Sequence, residues 1–289
     1  MMAACIAGAY ARMSIEASSA DFLKAAKLVD IQGLKLELIV KGDGGSPLLF
    51  LHGMDGVEGC SRIIDLLARD FTVYAPSHPG FGASELPRAF STIDDLAYFY
   101  LDLLDHFDLR NVTVVGFSLG GWIAAEILVK DVSRVSRLVL GAPLGLRTAE
   151  RRMSQVTDLF TLDPKEVDAT LQVTPAAPSN LAALPEAVLE RMARNAEAVC
   201  LFGWSPYLYN PKLHLRLHRI KAPTVLLWGE EDRLAPLEYA RGFVAELKQA
   251  RFETLPACGH RIYVDSPDVA AARIVNFATS GQEELGSLQ

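Results

Sequence analysis

The chain has 289 residues, half of them hydrophobic and 22% charged, with a formal net charge of −7. That length admits one large domain, or a domain carrying an insert, around a substantial core. The acidic balance excludes the broad basic face a nucleic-acid partner requires, and no window reaches the ~18 continuous apolar residues of a membrane span.

Residues 1–26 read as a loosely attached leader, because the small apolar run Ala3 to Ala11 lacks the basic n-region and leucine-rich core of an export signal. Lys27–Ile31 and Leu34–Val40 then read as two strands hinged near Gly33. Pro47–Leu51 is a continuous apolar run, the mark of a strand buried on both faces, and it ends in His52-Gly53-Met54. An amphipathic helix over Cys60–Arg69 follows, with Ile63, Ile64, Leu66 and Leu67 inward. Phe71–Ala75 is a strand, and Thr92–His106 a helix capped by Ser91 or Thr92 with Asp94 and Asp95 in its first turn. Val112–Val115 is another strand, Leu119–Lys130 its helix, and Arg137–Leu140 a further short strand.

From Ala142 to about Ala222 the alternation stops. Helical patterns near Ala149–Leu159, Pro164–Leu171, Pro185–Ala198 and Pro211–His218 predict a helical insert lying over the sheet. The rhythm resumes with strand Thr224–Trp228, helix Pro236–Lys248, strand Phe252–Leu255 and helix Pro267–Ala278. The expected fold is α/β: a mainly parallel sheet of about eight strands, covered by helices on both faces, with a helical cap inserted after the sixth strand. The core would be residues 27–144 and 220–279, the cap 145–219, and 280–289 a flexible tail.

Gly116-Phe117-Ser118-Leu119-Gly120 stands between a β-branched strand and a helix-forming segment. This is the nucleophile-elbow pattern G-x-S-x-G. A serine at such a turn sits in strained backbone at the carboxyl end of a strand, where open α/β sheets place their ligands. Its hydroxyl needs a base to take its proton, and the base needs an orienting partner. Of six histidines, His260 stands just past the last strand and points to the face where Ser118 emerges. His52 and His78 read as loop-bracing residues, His106 as a helix end, and His214 and His218 as a charged helix face. Trp228-Gly229-Glu230-Glu231-Asp232 places three carboxylates at the same face, with Asp232 far enough along the loop to turn back toward His260.

The chain resembles the α/β-hydrolase family over about residues 27–279, through five motifs in order. They are His52-Gly53, His78-Pro79-Gly80-Phe81-Gly82-Ala83-Ser84, Gly116–Gly121, Trp228-Gly229-Glu230-Glu231-Asp232 and Gly259-His260. The resemblance implies Ser118 as nucleophile, His260 as general base then acid, and Asp232 as the carboxylate that fixes its tautomer. It also implies an oxyanion hole from the backbone N–H groups of Leu119 and Met54, with Gly53 a substitute for Met54. Haloalkane dehalogenases and epoxide hydrolases of this fold carry aspartate at the elbow, which Ser118 argues against.

The insert supplies Phe202, Trp204, Tyr207, Leu208 and Tyr209 as a cluster that either roofs an apolar pocket or packs the cap to the sheet. Phe202, Trp204, Tyr207 and the elbow residue Phe117 are the candidate pocket residues, and Arg147, Arg151 and Arg152 read as solvated surface. The insert also resembles that of meta-cleavage-product hydrolases, which break a carbon–carbon bond. Those enzymes usually carry asparagine where Phe117 stands and tryptophan soon after the histidine, where this chain has Arg261-Ile262-Tyr263. The expected activity is therefore hydrolysis of a small, largely apolar carboxylic ester or lactone. C–C hydrolysis of a vinylogous diketone acid is the runner-up, and a ligand receptor on the same fold stays open.

No H-E-x-x-H or clustered Cys/His set offers a metal site, and Gly80-x-Gly82 lacks the third glycine of a dinucleotide loop, so no cofactor or metal is expected. The partner expected is a small-molecule substrate, with a homo-oligomer left open. Cys5, Cys60, Cys200 and Cys258 form no C-x-x-C pair and read as reduced thiols in a cytoplasmic protein, with Cys258 a packed thiol.

Overall fold

In the computed structural model, residues 21–147, 156–174, 181–247 and 249–280 are described. Eight strands form one sheet: β1 (Lys27–Ile31), β2 (Leu34–Lys41), β3 (Pro47–Leu51), β4 (Thr72–Pro76), β5 (Val112–Phe117), β6 (Val135–Gly141), β7 (Thr224–Gly229) and β8 (Ala250–Leu255). Their spatial order is β1-β2-β4-β3-β5-β6-β7-β8. β2 pairs antiparallel with both β1 and β4, and every pair from β4 onward is parallel. Gln32 and Gly33 both take positive φ, the turn a two-residue hairpin requires.

Strand composition follows position. β5 and β7 are buried at every residue, and β3 at all but its first, whereas edge strand β8 is exposed or half-buried at all but its last residue. Continuous Val/Leu/Ile runs belong where helices cover both faces. Helix α1 (Ser61–Leu67) packs with the last helix, α8 (Pro267–Thr279), while α2 (Ile93–His106) packs with α3 (Leu119–Lys130). Thr92 caps α2: its hydroxyl accepts from Asp95 N–H, and Asp95 accepts in return from Thr92 N–H.

Between β6 and β7 lie α4 (Pro164–Leu171) and α5 (Glu186–Gly203). Asp163 and Glu166 form the capping box of α4, with Pro164 in its first turn. The helix expected over Ala149–Leu159 falls mostly outside the described residues, which resume before a single 3-10 turn at Leu159–Thr161. α5 runs to Gly203, beyond the expected Ala198. The segment expected as a helix over Pro211–His218 is a chain of turns ending in a 3-10 turn at Leu217–Arg219. Its bonds run mostly to the third preceding residue, Leu215 to Lys212, Arg216 to Leu213 and Arg219 to Arg216. Leu213 and Leu217, spaced as on a helix, are still buried, because tight turns bring the same side chains inward.

The inserted segment is tied to the sheet by buried charge. Arg191 of α5 meets Glu37 of β2 through both terminal nitrogens, at 2.9 and 2.6 Å, and its Nε lies 3.0 Å from Glu58. Asn195 bridges Glu58 and the backbone N–H of Gly82, so the 78–84 loop docks against α5. Burial opposes the Glu37 carboxylate, yet Arg191 and the Ser77 hydroxyl hold its pKa below the usual range. Of the expected leader, residues 21–26 are described, and Phe22 joins the core. The first residue of the expected tail, Ser280, accepts a hydrogen bond from Arg137, and residues 281–289 lie outside the described set.

The final short helix before α8 is α7 (Ile262–Asp265), and α6 (Leu237–Glu246) joins β7 to β8. Among the described residues no helix is long and apolar enough to cross a membrane.

Candidate active site

β5 and α3 meet at Ser118, whose φ of 52° and ψ of −116° leave the ordinary basins for a non-glycine residue. The bend is tight enough to exclude side chains on either flank. A Cβ at Gly116 would stand 2.4 Å from Gly120 O, and one at Gly120 would stand 2.1 Å from Leu51 O of β3. Ser118 N–H donates to Gly141 O, and Ser118 O accepts from Trp122 and Leu144, so neighbouring backbone holds the strained residue.

His260 follows β8 and is 2% exposed. Its Nε2 lies 2.8 Å from Ser118 Oγ, and its Nδ1 lies 2.8 Å from Asp232 Oδ2. A carboxylate only accepts, so Nδ1 carries the proton and Nε2 is the acceptor facing the serine hydroxyl. The other oxygen of Asp232 accepts from the N–H groups of Leu234 and Ala235, at 2.9 and 2.8 Å. Trp228 pins that loop by donating from Nε1 to Ala235 O. The loops after β7 and β8 pass backbone to backbone: a Cβ at Gly229 would meet Gly259 O at 2.2 Å. Glu230 turns outward to the Thr254 hydroxyl, and Glu231 faces Arg233 at the surface.

The loop after β3 lies against the same serine. A Cβ at Gly53 would be 3.3 Å from Ser118 Cβ, and Met54 follows, buried. Two neutral histidines set the peptide between them. His52 Nε2 accepts from His78 N–H, which leaves Nδ1 as the donor to Gly53 O at 2.6 Å. His78 Nε2 donates to His52 O, and its Nδ1 accepts from the Tyr100 hydroxyl. In a trans peptide the carbonyl and N–H point oppositely, so holding Gly53 O directs Met54 N–H away from His52. Burial lowers the His52 pKa to about 3 and drives that of His78 well below its usual value, with His52 adding to the effect. Both expected bracing histidines therefore brace this loop in uncharged form.

Five buried side chains near the triad escaped the sequence reading. Arg261, next to His260, forks onto Asp55, next to Met54, at 2.8 and 2.9 Å. Tyr263 donates to the same carboxylate at 2.5 Å, and Arg261 Nη1 reaches Asp168 and Gln172 of the inserted segment. The only signal was adjacency to His260 and Met54, since the partners stand far apart in sequence.

The candidate pocket residues separate. Phe117 is fully enclosed, its ring 5.8 Å from Phe50 and 5.5 Å from Tyr263. Trp204 is 46% exposed and sits edge-on to Phe160. Tyr207 spends its hydroxyl on Leu159 N–H and Thr157 O. Phe202 and Tyr209 line a cavity of about 460 Å³ with Trp122, Glu126, Pro206 and Arg216, and neither Ser118 nor His260 borders it. Leu208 is buried. Arg147 stacks over the Tyr209 ring, whereas Arg151 and Arg152 lie outside the described residues. Cys258 is a packed thiol, pushed up to about 12 chiefly by burial. Among the described residues no group of three or more His, Cys, Asp or Glu side chains is placed to hold a metal ion.

A family model described as the alpha/beta hydrolase family matches residues 48–273. The chain is 26% identical over 247 residues to the dihydrolipoyllysine-residue acetyltransferase component of the acetoin cleaving system of Cupriavidus necator, covering 80% of this chain and 64% of that one. It is 22% identical to the 2-hydroxy-6-oxo-6-phenylhexa-2,4-dienoate hydrolase of Burkholderia cepacia, covering 87% of this chain and 93% of the relative. Among solved structures, a bacterial membrane phospholipase A superposes with a TM-score of 0.71 at 24% identity, covering 87% of this chain and 84% of that one. The phenylhexadienoate hydrolase of Rhodococcus sp. strain RHA1 gives 0.69 at 22% identity, covering 88% and 100%. These structural likenesses speak for the fold.

Proposed function

The chain belongs to the α/β-hydrolase family, and on that premise we propose that it is a serine hydrolase cleaving a small, largely apolar carboxylic ester or lactone. The observation that carries this reading is the unbroken line Asp232–His260–Ser118, with both links at 2.8 Å. Fold alone would leave the chemistry open.

The proposed cycle follows from those contacts. Ser118 Oγ attacks the substrate carbonyl carbon while His260 Nε2 takes its proton. Negative charge develops on the carbonyl oxygen, where the N–H groups of Leu119 and Met54 would receive it, each worth about 3–4 kcal/mol. Leu119 opens α3, so the helix's positive end adds to the field. The imidazolium then protonates the departing alcohol, leaving an acyl group on Ser118. Water, deprotonated by His260, attacks the acyl carbon, and collapse returns the proton to Ser118 Oγ. Asp232 keeps Nδ1 protonated throughout and stabilises the transient imidazolium.

C–C bond hydrolysis is kept as a second reading because a relative of that activity covers 87% of this chain. Phe117, in place of the asparagine usual in that group, is sealed in the core and offers no polar atom, which favours the ester. A screen of p-nitrophenyl esters beside a dienoic diketone acid tests both. The expected result is a burst of p-nitrophenol that Ser118→Ala abolishes. Turnover of the diketone acid alone would transfer the assignment to C–C cleavage, and tight ligand binding without turnover would make the chain a receptor.

A further inference from the structure

Arg261 joins three separate parts of the molecule. Its backbone flanks His260. Its fork holds Asp55 through Nε and Nη2, beside Met54. Its remaining terminal nitrogen reaches Asp168 of α4 at 3.1 Å and Gln172 at 3.3 Å, and its backbone N–H donates to Leu171 O at 2.8 Å. Arg261, Asp55 and Asp168 are each at most 3% exposed. Tyr263 adds a hydroxyl to Asp55 and presses on the same loop, 3.1 Å from where a Cβ of Gly53 would stand.

A buried ion network is weak evidence for stability, because well-packed apolar residues often serve as well. A planar fork does confer direction. Here it fixes the spacing between the loop of the proposed base and the loop of the proposed oxyanion donor, and both depend on α4 being seated. If α4 leaves, Arg261 loses Asp168, Gln172 and the Leu171 carbonyl together. With α4 gone, water reaches the guanidinium and competes for its donors, and the fork no longer holds Asp55 in one direction.

Resting on the serine-hydrolase reading, we propose that Arg261 is a positioning residue that makes assembly of the Met54 oxyanion donor conditional on docking of α4. The contact between the inserted segment and the core thus acts on kcat, whereas a wall that only shapes the binding pocket acts on KM.

The test uses the full chain and four variants: Asp168→Asn and Asp55→Asn, their double, and Gln172→Leu, which removes the weaker acceptor without stranding a charge. Steady-state kinetics on a p-nitrophenyl ester are compared with the rate at which a p-nitrophenyl phosphonate labels Ser118. Asp168→Asn is expected to lower kcat and the labelling rate by about 10- to 100-fold with KM within about threefold. Gln172→Leu should move both rates the same way by a smaller factor. The double variant should lose no more than Asp55→Asn alone, because the two carboxylates act through one guanidinium. Unchanged kcat in Asp168→Asn and Gln172→Leu, losses that multiply in the double variant, or a rise in KM alone overturns this inference and leaves the hydrolase reading standing. A wild-type chain whose Ser118 the phosphonate does not label overturns both.

Discussion

Replacing Gly120 by alanine strikes the joint that everything at the site shares. The new Cβ would stand 2.1 Å from Leu51 O and 2.5 Å from His52 O, about 1.3 Å short of ordinary contact with the nearer atom. Both obstacles are backbone of β3 and of the loop that carries Met54, so no side chain can rotate aside. Overpacking of this kind costs about 1–3 kcal/mol, and a rigid obstacle places Gly120→Ala near ~3 kcal/mol. For a chain of this size that lowers the melting temperature by about 5 °C. Relief requires α3 and the loop to part, and a misplacement near 1 Å at a reacting site costs about 100-fold in rate. Gly44→Ala is the matched control, since nothing lies within 4 Å of its Cβ and its φ is not in the left-handed region. It should melt within ~1 kcal/mol of wild type and keep full activity. Calorimetry and ester kinetics on the pair decide the matter. A Gly120→Ala protein that melts and turns over like Gly44→Ala would refute the close-approach reasoning.

Ser118→Ala and His260→Ala should lose nearly the same activity, because they act as a unit. Asp232→Asn should fall by about 10⁴ in kcat with the fold intact, and retention of most of the rate would exclude it as the orienting acid. His52 and His78 stay neutral when folded but titrate near 6.5 when unfolded. The unfolded chain therefore binds more protons below pH 6.5, and stability falls as pH drops from there toward about 3. Each histidine contributes up to ~1.4 kcal/mol per pH unit in that window. Urea midpoints measured between pH 7 and 5 should show this slope, and His52→Gln should reduce it. Arg191→Ala leaves Glu37 and Glu58 buried without their cation and should cost about 3–5 kcal/mol by urea denaturation. A loss below ~1 kcal/mol would mean the inserted segment is held by packing alone.

Features encoded locally were legible in the sequence. The apolar runs of β3, β5 and β7, a cap at Ser91 or Thr92 and the glycine-flanked Ser118 each depend on residues a few positions apart. The grouping of Ser118, Asp232 and His260 was legible too, because each stands on the connection that leaves the carboxyl end of a strand and strand ends share one face. Long-range pairing was not. Arg261 reads as an ordinary surface cation until folding brings Asp55, 206 positions away, onto its fork. Arg191 likewise meets Glu37 across 154 positions. Charge patterns reveal neighbours on one helix and are silent on such contacts. The segment Pro211–His218 misled for the opposite reason, since the four-residue spacing of Leu213 and Leu217 serves consecutive turns as well as a helix. The aromatic cluster of α5 and its exit was visible as composition, but Trp204 faces outward while Phe202 turns into a cavity away from Ser118.

The central claim is that Ser118 is a nucleophile activated by His260, and covalent labelling with a fluorophosphonate, read by peptide mass spectrometry, tests it most directly. One adduct per chain is expected, on the peptide containing Ser118, absent in Ser118→Ala and slowed by about 10³ or more in His260→Ala. No adduct, an adduct on another residue, or equal labelling in His260→Ala would contradict the account.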